Sequence, residues 1–295
     1  MKKLTPLLFA LGMSASLIAC SNHEPSTPSK GSSSLSQKEL SESKNTFSEI
    51  VAIDNEYCSI KLTELDPDNI WGYTVKAELE NKSADKNYMF SIENAAINGV
   101  SGNPLFATEV APSKKALKEI NFADHTLKEN GIGDCTDIEI TFRVYDNDDW
   151  AADPVAKETV HIYPYGEEQA THFVRNSQPS DTVLVDNDQV SVIVTGYDPE
   201  GTFGYTVNLY FVNKTDKNIM FSVDDAAING FMIDPFYANS VPAGKSAFSS
   251  MHWSDRSLEE SKISDVEQIE FTLTASDEDD WLAEDLVNQG ITLKP

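Results

Sequence analysis

A chain of 295 residues with 48 acidic against 22 basic side chains has a formal net charge of −26, which argues against nucleic acid as a partner and leaves basic proteins, cationic peptides and metal ions electrostatically permitted. The five histidines at 23, 125, 161, 172 and 252 are scattered, and there is no HExxH, GxSxG, phosphate-binding glycine loop or CxxC pair. Composition and motifs together point away from an enzyme.

The chain begins with Lys2 and Lys3, an apolar run from Leu7 to Ile18 that is short for a bilayer span, and then Leu17-Ile18-Ala19-Cys20. This reads as a signal peptide over 1–19 ending in a segment that resembles the lipobox of bacterial lipoproteins, in which the cysteine is acylated and becomes the first residue. The expectation is a protein of the bacterial cell envelope, anchored to a membrane through lipid on Cys20 and facing outward. Residues 20–49 are rich in Ser, Pro, Lys and Glu and poor in large apolar side chains, so they are expected to form a flexible, disordered tether.

From Ile53 onward the sequence is written twice. DP at Asp66 and Asp198, GYTV at Gly72 and Gly204, MFS at Met89 and Met220, AAING at Ala95 and Ala226, and DDW at Asp148 and Asp279 recur about 131 positions apart, and about 40 of some 110 aligned positions are identical. The predicted organisation is one repeat over 50–164, a polar linker over 165–180 and a second repeat over 181–295. Phe173 and Val174 give the linker a point at which it can pack on a repeat.

Each repeat has about 110 residues, enough for one core. Period-two alternation at Tyr73, Val75, Ala77 and Leu79, and again at Ile138, Ile140, Phe142 and Val144, predicts strands with one buried face. Strands are expected near 57–64, 73–81, 88–97, 105–110, 115–122, 138–145 and 158–163 of the first repeat. A helical turn capped by aspartate is expected at Asp124–Asn130 and at Asp255–Ser261. The predicted fold class is all-β, two tandem immunoglobulin-like β-sandwich domains, with a small barrel as the competing architecture.

Cys58 and Cys135 are both replaced by valine in the second repeat, at Val190 and Val266. A joint change suits two side chains that touch, so a disulfide between Cys58 and Cys135 is expected, against the alternative of two separate buried thiols. Asp146, Asp148 and Asp149, with Asp277, Asp279 and Asp280, form an acidic cluster before each last strand. Their carboxylates are candidate ligands for Ca²⁺, which takes six to eight oxygens. The alternative is an ordinary Asp-rich turn neutralised by the lysines of the loops Asn81–Asn87 and Asn213–Asn218, which an up-and-down strand order brings to the same end. Trp150 and Trp281 follow these turns and either cap the core or stack on a ligand, and Trp71, at the opposite end, either contacts ligand or fills the sandwich edge. Asn-Gly in AAING predicts a tight turn without chemistry.

The lipobox, the tether and the paired N-K-[ST]-x-D-K-N, M-F-S, A-A-I-N-G and D-x-D-D-W motifs resemble the tandem-repeat immunoglobulin-like surface lipoproteins of gut and other host-associated Firmicutes, and more loosely the extracellular β-sandwich domains of the MPT63 type. The resemblance implies a β-sandwich and a surface location, and brings no catalytic residue with it. The expected role is a non-catalytic binding module for an extracellular protein or glycan, the alternative being a calcium-stiffened spacer on the envelope.

Overall fold

The computed structural model describes residues 47–295 apart from 103, 124–126, 236 and 281. The signal segment, Cys20 and all but the last three residues of the tether lie outside them. Among the described residues, no helix is long and apolar enough to cross a membrane.

The first repeat contributes β1 (Ile50–Asp54), β2 (Cys58–Asp66), β3 (Tyr73–Asn81), β4 (Tyr88–Ile97), β5 (Val100–Ser101), β6 (Ala107–Val110), β7 (Lys115–Phe122), β8 (Ile138–Asp146) and β9 (Ala156–Ile162). The second contributes β10 (Thr182–Asp186), β11 (Val190–Asp198), β12 (Tyr205–Asn213), β13 (Ile219–Ile228), β14 (Phe231–Met232), β15 (Asn239–Val241), β16 (Ser246–Trp253), β17 (Ile269–Asp277) and β18 (Val287–Leu293). All seven expected strands form, with small shifts at their ends. Two others form beside them in each repeat. The first, β1 or β10, is short and bulged where it pairs with its neighbour, which hides its alternation. The second, β5 or β14, is a two-residue strand closing the Asn-Gly turn.

In the first repeat β1-β2-β3-β7 make one sheet, while β4 carries β5 and β6 along one edge and β8 then β9 along the other. The second repeat copies this with β10-β11-β12-β16 and with β14 and β15 on β13, followed by β17 and β18. No hydrogen-bonded pairing of described strands closes either repeat's two sheets on each other, so the architecture is a sandwich and not a barrel. Inward faces alternate strictly: Ile138, Ile140, Phe142 and Val144 are fully buried in β8, and the residues between them are not. They belong to a hydrophobic cluster drawn from Ile53 to Ile162, and a second cluster spans Val185 to Leu293.

One helix, α1 (Asp255–Glu260), stands where the second helical turn was expected. Its cap is Ser254, whose hydroxyl accepts from the Ser257 amide at 3.2 Å, and not the aspartate that follows. The first expected turn begins at positions outside the described residues.

Linker residues fasten the repeats together. The Phe173 amide donates to the Asn98 carbonyl at 2.8 Å and the Thr171 amide to the Thr136 hydroxyl at 3.0 Å, and the Phe173 ring meets Phe248 at 5.9 Å. The Ser246 amide donates to the Gly99 carbonyl at 3.0 Å, where β16 runs parallel to β5, and Lys245 pairs with Glu139 at 2.6 Å. Arg175 grips Asp181 with two 2.7 Å bonds and lies over Tyr210. That forked pair holds the Asp181 carboxyl down at about 2. Phe173 thus packs as expected, while Val174 stays exposed.

The expected disulfide is not formed. Cys58 lies opposite Asn81, at the end of β3, whereas Cys135 lies close to Tyr73, at its start. Eight residues of strand separate those levels by about 26 Å, far beyond the roughly 4.4–6.8 Å between Cα atoms that a disulfide spans. Both cysteines are buried, and burial raises the Cys58 thiol to about 11. Two independent exchanges of one small apolar side chain for another explain the shared replacement by valine.

Candidate functional site

The two ends of each sandwich are built differently. At one end sits the acidic turn. Lys86 pairs with Asp146 at 2.8 Å and Lys217 with Asp277 at 2.6 Å. The other oxygen of each carboxylate accepts a backbone amide two residues on, Asp148 at 3.1 Å and Asp279 at 3.0 Å. Both bonds hold the Asp146 and Asp277 carboxyls below the usual aspartate range, the lysine bond most strongly. β4 pairs directly with β8, and β13 with β17, which is what brings each lysine loop to its turn. The strand order is therefore not up-and-down, since β3 pairs with β7 in the opposite sheet from β4. Only the second lysine of each loop reaches the turn, while Lys82 and Lys214 hold Asp54 and Asp186 instead.

No group of three or more His, Cys, Asp or Glu side chains among the described residues is arranged to hold a metal ion. Trp150 is 72% exposed and does not cap the core. Its carbonyl accepts weakly from Arg143 at 3.4 Å, as the chain swings outward through the turn. Trp281 lies outside the described residues.

Inside the lysine loops, the buried Asn81 and Asn213 are structural. The Asn81 side-chain amide donates to the carbonyls of Lys86 and Val110 at 2.8 and 2.7 Å, and Asn213 donates to Lys217 and Val241 at 2.7 and 2.9 Å. Their side-chain carbonyls take the amides of Ser83 and Thr215. This explains the first asparagine of N-K-[ST]-x-D-K-N as a clamp that satisfies buried backbone groups.

At the opposite end lies the candidate site, a cavity of about 350 Å³ in the first repeat. The DP turn presents Trp71: Asp66 accepts the Asp68 amide and the Asn69 side chain, and Asn69 accepts the Trp71 amide at 3.0 Å. Gly72, with φ 106°, then returns the chain to β3. Trp71 stands 68% exposed at the rim, with Ile70 next to it in sequence and Leu105 on the wall, both strongly exposed. The interior is formed by Ile97 and Val100 around the Asn-Gly turn, Phe122 at the end of β7, and Leu127 and Ile132 before β8.

Polar groups on the wall are few. Ser101 and Asn121 contribute theirs, and the Asn121 carbonyl already accepts from Thr74 at 2.7 Å. None of the described lining residues is ionisable.

Trp71 stands out in the sequence as either a ligand contact or a filler of the sandwich edge, and its ring is exposed. The rest of the lining does not stand out, because each residue there reads as ordinary core when taken alone. AAING does form the expected turn, with Asn98 at φ 50° and Gly99 at φ 79°. Asn98 also does more than turn the chain. Its side-chain carbonyl accepts the amides of Thr136 and Asp137, and its amide donates to the Asp134 carbonyl, tying the segment that leads into β8 to the floor of the cavity. Asn229 does the same with Glu267, Gln268 and Asp265.

No family model matches this sequence, and no curated protein is similar to it.

Proposed function

We propose that this chain is a non-catalytic binding protein of the bacterial cell envelope, lipid-anchored through Cys20, with two tandem immunoglobulin-like sandwich domains, and that it binds its ligand in the cavity beneath Trp71. The observation that carries the reading is the cavity itself. It is an apolar space at the small end of the size range that binding sites occupy, open at a rim of exposed apolar side chains. Among the described residues its lining offers no ionisable side chain, which favours binding over turnover. The resemblance to surface lipoproteins and the lipobox support the location. The metal-stiffened spacer is not favoured, because the leading carboxylate of each acidic turn is already held by a lysine.

Two measurements test this reading. Full-length chain and its Cys20→Ser variant are compared in membrane fractions after labelling with a tagged fatty acid, and label and membrane retention are expected in the first alone. A neutral, environment-sensitive naphthalene dye is then titrated into the Cys20→Ser chain and into the same chain carrying Gly102→Ile and Phe122→Trp, which narrows the cavity. Fluorescence enhancement lost in the filled variant supports the site, and enhancement equal in both overturns it.

A further inference from the structure

The second repeat shows what fits the place that the first leaves open. Trp253 ends β16 as Phe122 ends β7, and the two stand opposite Tyr205 and Tyr73 at the same register. Ile233 takes the place of Gly102: the Ile233 amide donates to the Ala226 carbonyl at 3.0 Å, as the Gly102 amide does to the Ala95 carbonyl at 3.0 Å. In the second repeat the Trp253 indole is 1% exposed, and its Nε1–H donates to the Ile233 carbonyl at 2.8 Å. In the first repeat the phenyl ring of Phe122 and the bare Gly102 both line the cavity, so what is missing is the far part of an indole and one branched side chain. A methyl group on Gly102 would come no nearer to Phe122 than 3.8 Å, ordinary contact, so no crowding at this position requires glycine.

We propose that the first-repeat cavity takes a small, neutral aromatic molecule bearing a ring N–H, of the indole class, with the Gly102 carbonyl accepting the N–H as the Ile233 carbonyl accepts that of Trp253. This rests on the reading of the cavity as the binding site. Charge supports a neutral ligand: no described side chain on the wall can balance an ammonium or a carboxylate, and a buried unpaired charge is costly. The rim supports a free small molecule over a peptide side chain, since Trp71 and Leu105 offer no side-chain hydrogen-bonding group to an incoming backbone except the Trp71 ring N–H.

The test is a titration of the isotopically labelled Cys20→Ser full chain with indole and with benzofuran, which has the same shape but an oxygen in place of the N–H, followed by amide chemical shifts. Indole is expected to shift Gly102 and its neighbours and to bind roughly 2- to 10-fold more tightly than benzofuran, the worth of one hydrogen bond. The Gly102→Ile, Phe122→Trp chain, shown to be folded by its own spectrum, should lose both responses. Equal binding of the two probes overturns the ring N–H assignment and leaves the cavity as an apolar site. Absence of either response in the folded parent chain overturns the cavity reading as well, and indole shifts that persist in the filled variant place binding elsewhere and overturn both.

Discussion

The two repeats share the frame of their strands and differ visibly at the end that carries Trp71. The clamps at Asn81 and Asn213, the Asn-Gly turns at 98–99 and 229–230, and the lysine–aspartate pairs at 86–146 and 217–277 recur in both with the same principal bonds. The end that carries Trp71 differs. There the second repeat closes its core with Trp253 and Ile233, while the first, with Phe122 and Gly102, leaves about 350 Å³ open. Natural cores are packed to the density of organic crystals, so an opening where the other copy seats an indole ring distinguishes the repeats at this one place, while the second repeat has a pocket of its own beside α1, lined by Tyr205, Leu258 and Ile263.

The contrast between the two ends rests on Trp253 and Phe122, and changing each gives the largest expected effects. Trp253→Ala should destabilise the protein by about 3–5 kcal/mol, since it removes a fully buried aromatic and its hydrogen bond. Phe122→Trp should cost less than about 1 kcal/mol, because the overpacking penalty of about 1–3 kcal/mol arises where the space is already filled. Chemical denaturation of the two variants reads both values. A Phe122→Trp variant as damaged as Trp253→Ala would mean that the cavity is not available to a larger ring, and the contrast between the repeats would fall with it.

Much of this frame is legible in the residues, for physical reasons that differ from place to place. Alternation makes β3, β8, β12 and β17 plain, because one face of each meets the core and the other does not. β1 and β10 escape notice because a bulge breaks their period. The lysines of the loop are visible as partners for the acidic turn, yet only one of each pair goes there, a choice made by the β4–β8 register. The cysteines mislead: a joint replacement suggested contact, while their levels on β3 place them at opposite ends of a strand. The cavity was present in the sequence only as a difference between aligned positions, Phe against Trp and Gly against Ile. Such a difference becomes a volume only when the fold places the two positions side by side.

Acid should act on what the repeats share and on what joins them. The Asp146, Asp277 and Asp181 carboxyls all sit below the usual aspartate value in the folded chain, so the unfolded chain binds protons more readily at these sites. Their stabilisation is complete above the unfolded value of about 3.9 and is lost as pH falls through the folded values, near 2 for Asp181. Melting temperature is expected to fall steadily between about pH 4 and pH 2. Asp181→Asn should flatten that fall more than Asp146→Asn or Asp277→Asn, since of the three pairs only Arg175–Asp181 is forked and shielded at the cation as well as at the carboxylate. An equal effect of the three variants would mean that the Arg175–Asp181 pair of the linker is no firmer than an ordinary surface ion pair.

Calcium is expected to have the smallest effect, and it bears on the end that the two repeats hold in common. Ca²⁺ requires six to eight oxygens, and in each turn the leading carboxylate already has one oxygen on a lysine and the other on a backbone amide. An ion would have to displace Lys86 or Lys217 before it could bind. Melts in millimolar Ca²⁺ and in excess chelator should therefore agree within about 1 °C. A ligand present at about a hundred times its Kd would add about 2.7 kcal/mol, a shift of several degrees for repeats of this size. A rise of that order, lost when Asp148 and Asp279 are changed to alanine, would show that the lysines yield to metal. The conserved end would then be a binding site in both copies, and the open cavity would cease to be what distinguishes the first repeat from the second.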